Sequence, residues 1–168
     1  TLYALYALMF LVGISIGSDK KALQALKQQN LKIILVPLAT IIGTLIGSAL
    51  ISFALSDRSI TDCLAVGSGF GYYSLSSIFI TQYKGAELGT IALVSNIMRE
   101  LLALLAAPLL IRYFGKLAPI SVGGATTADT TLPIITKFCG KEFVIISIVH
   151  GITVDLSVPF LVTFFCTI

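Results

Sequence analysis

Glu100 and Asp155 each interrupt a long apolar run. A charge at the centre of a membrane span costs about 2.5–3.5 kcal/mol on insertion scales, so each needs a chemical reason. An ionised carboxylate there can accept a proton or a cation. Asn96 precedes Glu100 by four residues, so on a helix both point the same way. Arg99, the neighbour of Glu100, is about 100° round the helix and is able to neutralise a carboxylate from another segment; its role is left open. The structural alternative for this group is a buried ion pair or hydrogen-bonded glue. Asp129 is the third carboxylate. It follows Gly123-Gly124-Ala125-Thr126-Thr127-Ala128 and precedes Thr130, Thr131 and Pro133. Broken backbone is tolerated at membrane depth only where it is buried in protein or lines a wet cavity. Asp129 therefore either caps the following half-helix or offers a cation site. A second break, Gly67-Ser68-Gly69-Phe70-Gly71, is followed by Tyr72, Tyr73, Ser74, Ser76 and Ser77. The plain role of those hydroxyls is turn chemistry and helix back-bonding. His150 is about 140° round a helix from Asp155, shares no face with it, and reads as a satisfied packing group rather than a proton relay.

No enzyme constellation is present. HExxH, P-loop and GxSxG patterns are missing, and the run from Gly67 to Gly71 lacks the lysine of a phosphate loop. No cofactor is implied. Cys63, Cys139 and Cys166 have no CxxC spacing. They read as small buried fillers, with no disulfide framework and no metal site.

The elements that must position these residues are membrane spans. The chain has 168 residues, 57% apolar and 11% charged, with a mean hydropathy of +1.00. A soluble domain carries about 25% charged residues, so this composition excludes one, and excludes a disordered segment. A net charge of +3 without charge runs excludes a nucleic-acid binder. The whole chain, 1–168, reads as one all-α polytopic transmembrane domain. Apolar segments run over 1–17, 33–55, 63–83, 87–112, 117–139 and 141–168, with a polar cytoplasmic loop at 18–32. The first run is not preceded by basic residues and is not a signal peptide. Tyr3, Tyr6, Tyr83 and Tyr113 lie where interfacial aromatics sit. Gly43 and Gly47 have the spacing of a close-packing helix face. The segments at 63–83 and 117–139 are not ordinary helices, since the first is broken at Gly69 and Gly71 and the second at Gly123 and Gly124.

A shift of 55 positions superimposes Gly69 on Gly124, Ser74 on Asp129, Gly85 on Gly140, Glu87 on Glu142 and Glu100 on Asp155. The repeat units are about 63–112 and 118–167. Paired broken segments in corresponding positions point to a transporter site. The positive-inside rule puts 18–32 in the cytoplasm. If both broken segments crossed, Arg112 and Lys116 would land outside. If each dips in and returns, Arg112, Lys116, Lys137 and Lys141 all land inside. About 10 helical residues at 1.5 Å each reach the middle of a core about 30 Å thick. The preferred plan is an inverted repeat of four full crossings and two re-entrant hairpins; the alternative has six crossings. The hairpin tips, 68–74 and 123–131, are then expected to meet near the midplane, flanked by Glu100 and Asp155.

Four ordered motifs resemble the LysO lysine exporter family. They are Ser68-Gly69-Phe70-Gly71-Tyr72-Tyr73-Ser74-Leu75-Ser76, Asn96-Ile97-Met98-Arg99-Glu100-Leu101, Gly123-Gly124-Ala125-Thr126-Thr127-Ala128-Asp129-Thr130-Thr131-Leu132-Pro133, and Val149-His150-Gly151. The resemblance covers nearly the whole chain. It implies a multi-pass protein of the bacterial inner membrane that exports L-lysine, exchanging it for protons. Intramembrane acidic residues are central to that family, and Glu100 and Asp129 occupy motif positions. Asp155 belongs to no matched motif and rests on the repeat. Family members have a further N-terminal region of several spans. This chain resembles the second part, so a separate N-terminal-half subunit or a second copy is an expected partner. The candidate substrate and proton site is Glu100, Asp129, Asn96, Ser74, Thr130 and Asp155. The rival functions are another cation/proton antiporter, a carboxylate carrier, and an accessory subunit without transport of its own.

Overall fold

A computed structural model describes residues 31–55 and 57–168. The expected crossing at 1–17 and nearly all of the loop at 18–32 lie outside the described residues, as do Tyr3 and Tyr6. A 3-10 turn, Leu31–Ile34, leads into α1, Leu35–Ser52. Pro37 is tolerated in its first turn, where the missing N–H costs nothing. Leu35, Leu38, Ile42, Ile46 and Leu50 of α1 are exposed, as lipid-facing side chains would be. Gly43 and Gly47 have nothing within 4 Å of where a Cβ would stand. The close helix packing expected of them is not made by the described residues.

The connection after α1 spans 53–59. Ser59 Oγ accepts from the Asp62 amide at 3.1 Å and caps α2, Ile60–Gly67. The first break follows, and α3 spans Tyr73–Lys84. α4, Ala86–Leu105, then runs about 30 Å at 1.5 Å per residue. The single helix expected over 87–112 ends at Leu105. Pro108 lacks an amide and restrains the residue before it, so the chain turns at Ala106 and resumes as α5, Ala107–Phe114. α6 spans Ala118–Gly123, a 3-10 turn spans Gly124–Ala128, and α7 spans Leu132–Cys139. Another 3-10 turn, Lys141–Phe143, leads into α8, Val144–Thr167. Pro159 lies inside α8 and cannot donate to the carbonyl of Asp155.

The described residues are helical, with no strand, and the helix–break–helix–long helix order occurs twice. Leu35–Ser52, Ala86–Leu105 and Lys141–Thr167 are long and apolar enough to cross a membrane. α8 forms the centre. Val154, Val158 and Val162 pack with Phe70, Phe79, Ile80, Leu88 and Ala92 in one buried cluster. Ile120, Ile135 and Cys139 form a smaller one. The three cysteines are free and buried, as expected of fillers.

Ion pairs close the base of each broken segment. Lys84 Nζ lies 3.4 Å from Asp62, and Arg58 pairs with Glu87, so the start of α2 and the end of α3 share one rim. Lys116 Nζ lies 3.2 Å from Glu142, which brings the start of α6 beside the end of α7. Glu87 and Glu142 are counterparts in the 55-residue shift.

The two breaks cross at backbone distance. The Ala125 amide donates to the Phe70 carbonyl at 2.9 Å. Phe70 is fully buried with φ +44, which is costly for a bulky residue. Gly124 has φ +64, and a Cβ there would fall within 3.0 Å of the Phe70 carbonyl carbon. Replacing Gly124 with Ala should therefore destabilise the protein by about 1–3 kcal/mol or more, from a strained dihedral together with a backbone clash. Ser77→Ala, which removes only a weak local bond, should be near neutral. Thermal unfolding in detergent compares the two.

Candidate functional site

Both breaks are held from behind by α4, α8 and α1. Asn96 of α4 is buried; its Oδ1 accepts from the Gly71 amide at 2.7 Å, and its Nδ2 donates to Val66 O at 3.2 Å and Ala92 O at 2.9 Å. Thr127 Oγ1 donates within reach of Gly124 O at 2.8 Å and Ser147 O at 3.0 Å, and Ser147 Oγ donates back to Thr127 O at 2.7 Å. His150 is fully buried, with Nδ1 3.1 Å from Thr127 Oγ1 and Nε2 2.9 Å from Thr40 Oγ1. It is thus a satisfied packing group linking α8, the second break and α1. Gly151, the counterpart of Asn96 at the 55-residue shift, has no side chain because the Ala128 amide lies there: a Cβ would come within 2.5 Å of it.

In front of the crossing is a cavity of about 180 Å³, room for several waters. Gly71, Tyr72, Tyr73 and Ser74 line it from the first break, and Ala125, Thr126, Ala128, Asp129 and Thr130 from the second. Glu100 enters from α4, and Ile152 and Asp155 from α8. Five of the six residues singled out from sequence therefore share one cavity. Asn96 does not: it stands behind the first break with its amide committed to backbone. Of the tip glycines, Gly71 lines the cavity. Gly69 packs on Asn96 and Ser76, while Gly123 and Gly124 sit against Thr127 and Phe70.

Asp129 is exposed to this space, and its Oδ1 accepts the Thr130 amide. It does not cap α7, whose N-cap residue is Thr131 and makes no side-chain cap. Glu100 and Asp155 are half-buried. Among the described residues, the ion pairs are Arg58–Glu87, Lys84–Asp62 and Lys116–Glu142. None involves Glu100, Asp129 or Asp155, so three carboxylates face one small cavity without a protein cation.

Arg99 takes other partners. Among the described residues it pairs with no carboxylate. Its Nε donates to Val122 O at 2.8 Å, Nη2 to Ser121 O at 3.0 Å and Nη1 to Thr44 Oγ1 at 3.2 Å. The last carbonyls of α6 have no helical partner beyond the break, and a cation is the natural group to satisfy them. The guanidinium also stands over the Phe70 ring, 5.7 Å from its centroid.

Tyr72, Tyr73 and Thr126 line the cavity from within the tips expected to meet, whereas sequence reasoning did not place Ile152 there, nor Ser147 in the buried network. The tyrosines and Thr126 adjoin the breaks, which was a usable signal. Ile152 and Ser147 carried none.

Fold and site together define an all-helical membrane protein with its polar site where two broken segments cross. The chain belongs to the family of the lysine exporter LysO, whose family model matches residues 1–166. It is 37% identical over 163 residues to the lysine exporter LysO of Escherichia coli K12, covering 97% of this chain and 54% of that protein. It is 38% identical over 164 residues to a putative lysine exporter of Haemophilus influenzae, covering 98% of this chain and 83% of that protein. The chain thus spans about half the length of the first relative and most of the second. No solved structure matches. The family is one of exporters rather than enzymes, in line with the missing catalytic motifs.

Replacing Asn96 with Leu would leave the Gly71 amide without a partner, while the Val66 carbonyl keeps the Gly69 amide. A buried polar group so stranded costs about 1–3 kcal/mol. The variant should insert but melt well below the parent in detergent.

Proposed function

We propose that this chain is the cargo-binding domain of an L-lysine exporter of the bacterial inner membrane, working by exchange with protons. The observation that carries the proposal is the trio Glu100, Asp129 and Asp155, unpaired among the described residues and facing one cavity. Lysine brings two ammonium groups, which supply the cations the cavity lacks. Ser74 and Thr130 add hydroxyl acceptors at the same place. Proton uptake by a carboxylate weakens its hold on an ammonium group, so proton arrival and lysine release are linked through the same oxygens. The names of the two relatives support lysine as cargo.

In the membrane the two broken segments act as re-entrant hairpins of an inverted repeat. The ion pairs at their bases favour this over six crossings, because they hold both ends of each segment at one level. α4, about 30 Å long, starts at the first rim, so the second hairpin enters from the far side.

Two measurements test this. Glu100→Gln and Asp129→Asn keep shape and remove charge. Each should insert normally yet lower radiolabelled lysine counterflow about tenfold or more, the effect of losing roughly 1.4 kcal/mol of cation binding. Full counterflow in either variant removes that residue from the mechanism, and loss of partner assembly instead of flux favours an accessory role. For topology, cysteines at Asp57 and Tyr83 should both label from outside, and cysteines at Leu117 and Lys141 both from inside. Labelling of the two ends of one segment from opposite sides restores six crossings.

A further inference from the structure

We infer that Arg99 forms a second binding site, specific for a carboxylate, behind the crossing. A cavity of about 500 Å³ lies between α1, α2 and α4, and Thr44, Ser48, Ser95, Asn96 and Arg99 contribute its polar groups. The first break separates it from the acidic cavity: Val66 and Gly67 face this side, and Gly71 to Ser74 face the other. Arg58 and Asp62, near its mouth, are engaged with Glu87 and Lys84. Arg99 is therefore the one charge lining the cavity that has no opposite charge among the described residues.

An arginine carries five N–H groups. Arg99 makes three hydrogen bonds, one from each nitrogen, and all its acceptors are neutral. One N–H remains on each terminal nitrogen. Each can donate to a carboxylate oxygen in a charge-assisted bond, stronger than the bonds to the neutral acceptors. The three existing bonds and the Phe70 ring fix the guanidinium, so little freedom is lost when a ligand arrives. A second cavity, lined by Ala39, Thr40, Gly43, Thr44, Ser121 and Val122, reaches the same guanidinium along α1. Arg99 thus stands where two cavities converge, accessible from both.

The ligand class is an amino acid or other small carboxylate. Identifying it as the carboxylate end of lysine rests on the export proposal, with lysine occupying this site and the acidic cavity in turn, since its carboxylate and α-ammonium share one carbon and cannot lie on opposite sides of the break. A lone amine would satisfy one site and not the other.

The test uses the protein in detergent or proteoliposomes, with its partner half where transport needs one. Phenylglyoxal modification of Arg99 is followed by mass spectrometry in the presence of L-lysine, 6-aminohexanoate or cadaverine, which is lysine without its carboxylate. Lysine and 6-aminohexanoate should each slow modification about tenfold at ten times their dissociation constants, and cadaverine should not. Protection by cadaverine equal to that by lysine, or protection by none, overturns the proposal. In transport, Arg99→Gln should raise the KM for lysine about tenfold or more, the loss of a charge-assisted hydrogen bond, and leave inhibition by cadaverine unchanged. Equal weakening of both would make Arg99 a clamp for the second break and nothing else. Carboxylate-selective protection without lysine flux in the unmodified protein would retire the export proposal and leave this site standing.

Discussion

Where the two broken segments cross, the Ala125 amide meets the Phe70 carbonyl, and the position of each polar group in the site follows from that contact. In water such a bond contributes only about 0.5–1.5 kcal/mol net. At membrane depth the alternative is an unsatisfied peptide group, costing several kcal/mol. The contact requires two conditions that side chains disfavour. Phe70 must hold a left-handed dihedral, and Gly124 must present no Cβ. Asn96 and Thr127 then secure the flanking peptide groups from behind. Two interrupted segments that would be unstable alone become one rigid crossing, with polar space on either side.

That arrangement separates charge of opposite sign. Carboxylates from α4, the second break and α8 collect in front, while the guanidinium of Arg99 stays behind on carbonyls of α6. Glu100 and Arg99 are neighbours in sequence, yet about 100° of helix rotation sends them to different cavities. Leaving them apart keeps both available to a molecule that carries both signs.

Much of this was legible in the chain itself, for a physical reason. A carboxylate in an apolar run has few places to go, so Glu100, Asp129 and Asp155 were bound to converge on whatever polar space the fold provides. Glycine runs inside spans have few explanations besides broken helices, and the 55-residue shift matched the two. The partners of neutral and cationic groups were not legible. Asn96 was assigned to the cargo because it shares a helix face with Glu100, but the peptide groups of the break claim its amide first. Arg99 was able to pair with a carboxylate, but carbonyls at the end of α6 hold it. The end of α4 at Leu105 was signalled by Pro108 and overridden by the length of the apolar run. His150 was read as a packing group, but its partner Thr40 lies so far away in sequence that no local pattern could identify it.

The ion pairs at the bases of the broken segments have a mechanical consequence. They are exposed or half-exposed, so ionic strength weakens them. The contact at the crossing joins two uncharged backbone groups and does not respond to salt in this way. Each segment therefore resembles a lever sewn loosely at its handle and firmly at its tip. Gentle perturbation loosens the handles first, while the tips keep their register. Motion that begins at either base must travel inward along α2 and α3, or along α6 and α7, before it can part the two segments at the crossing.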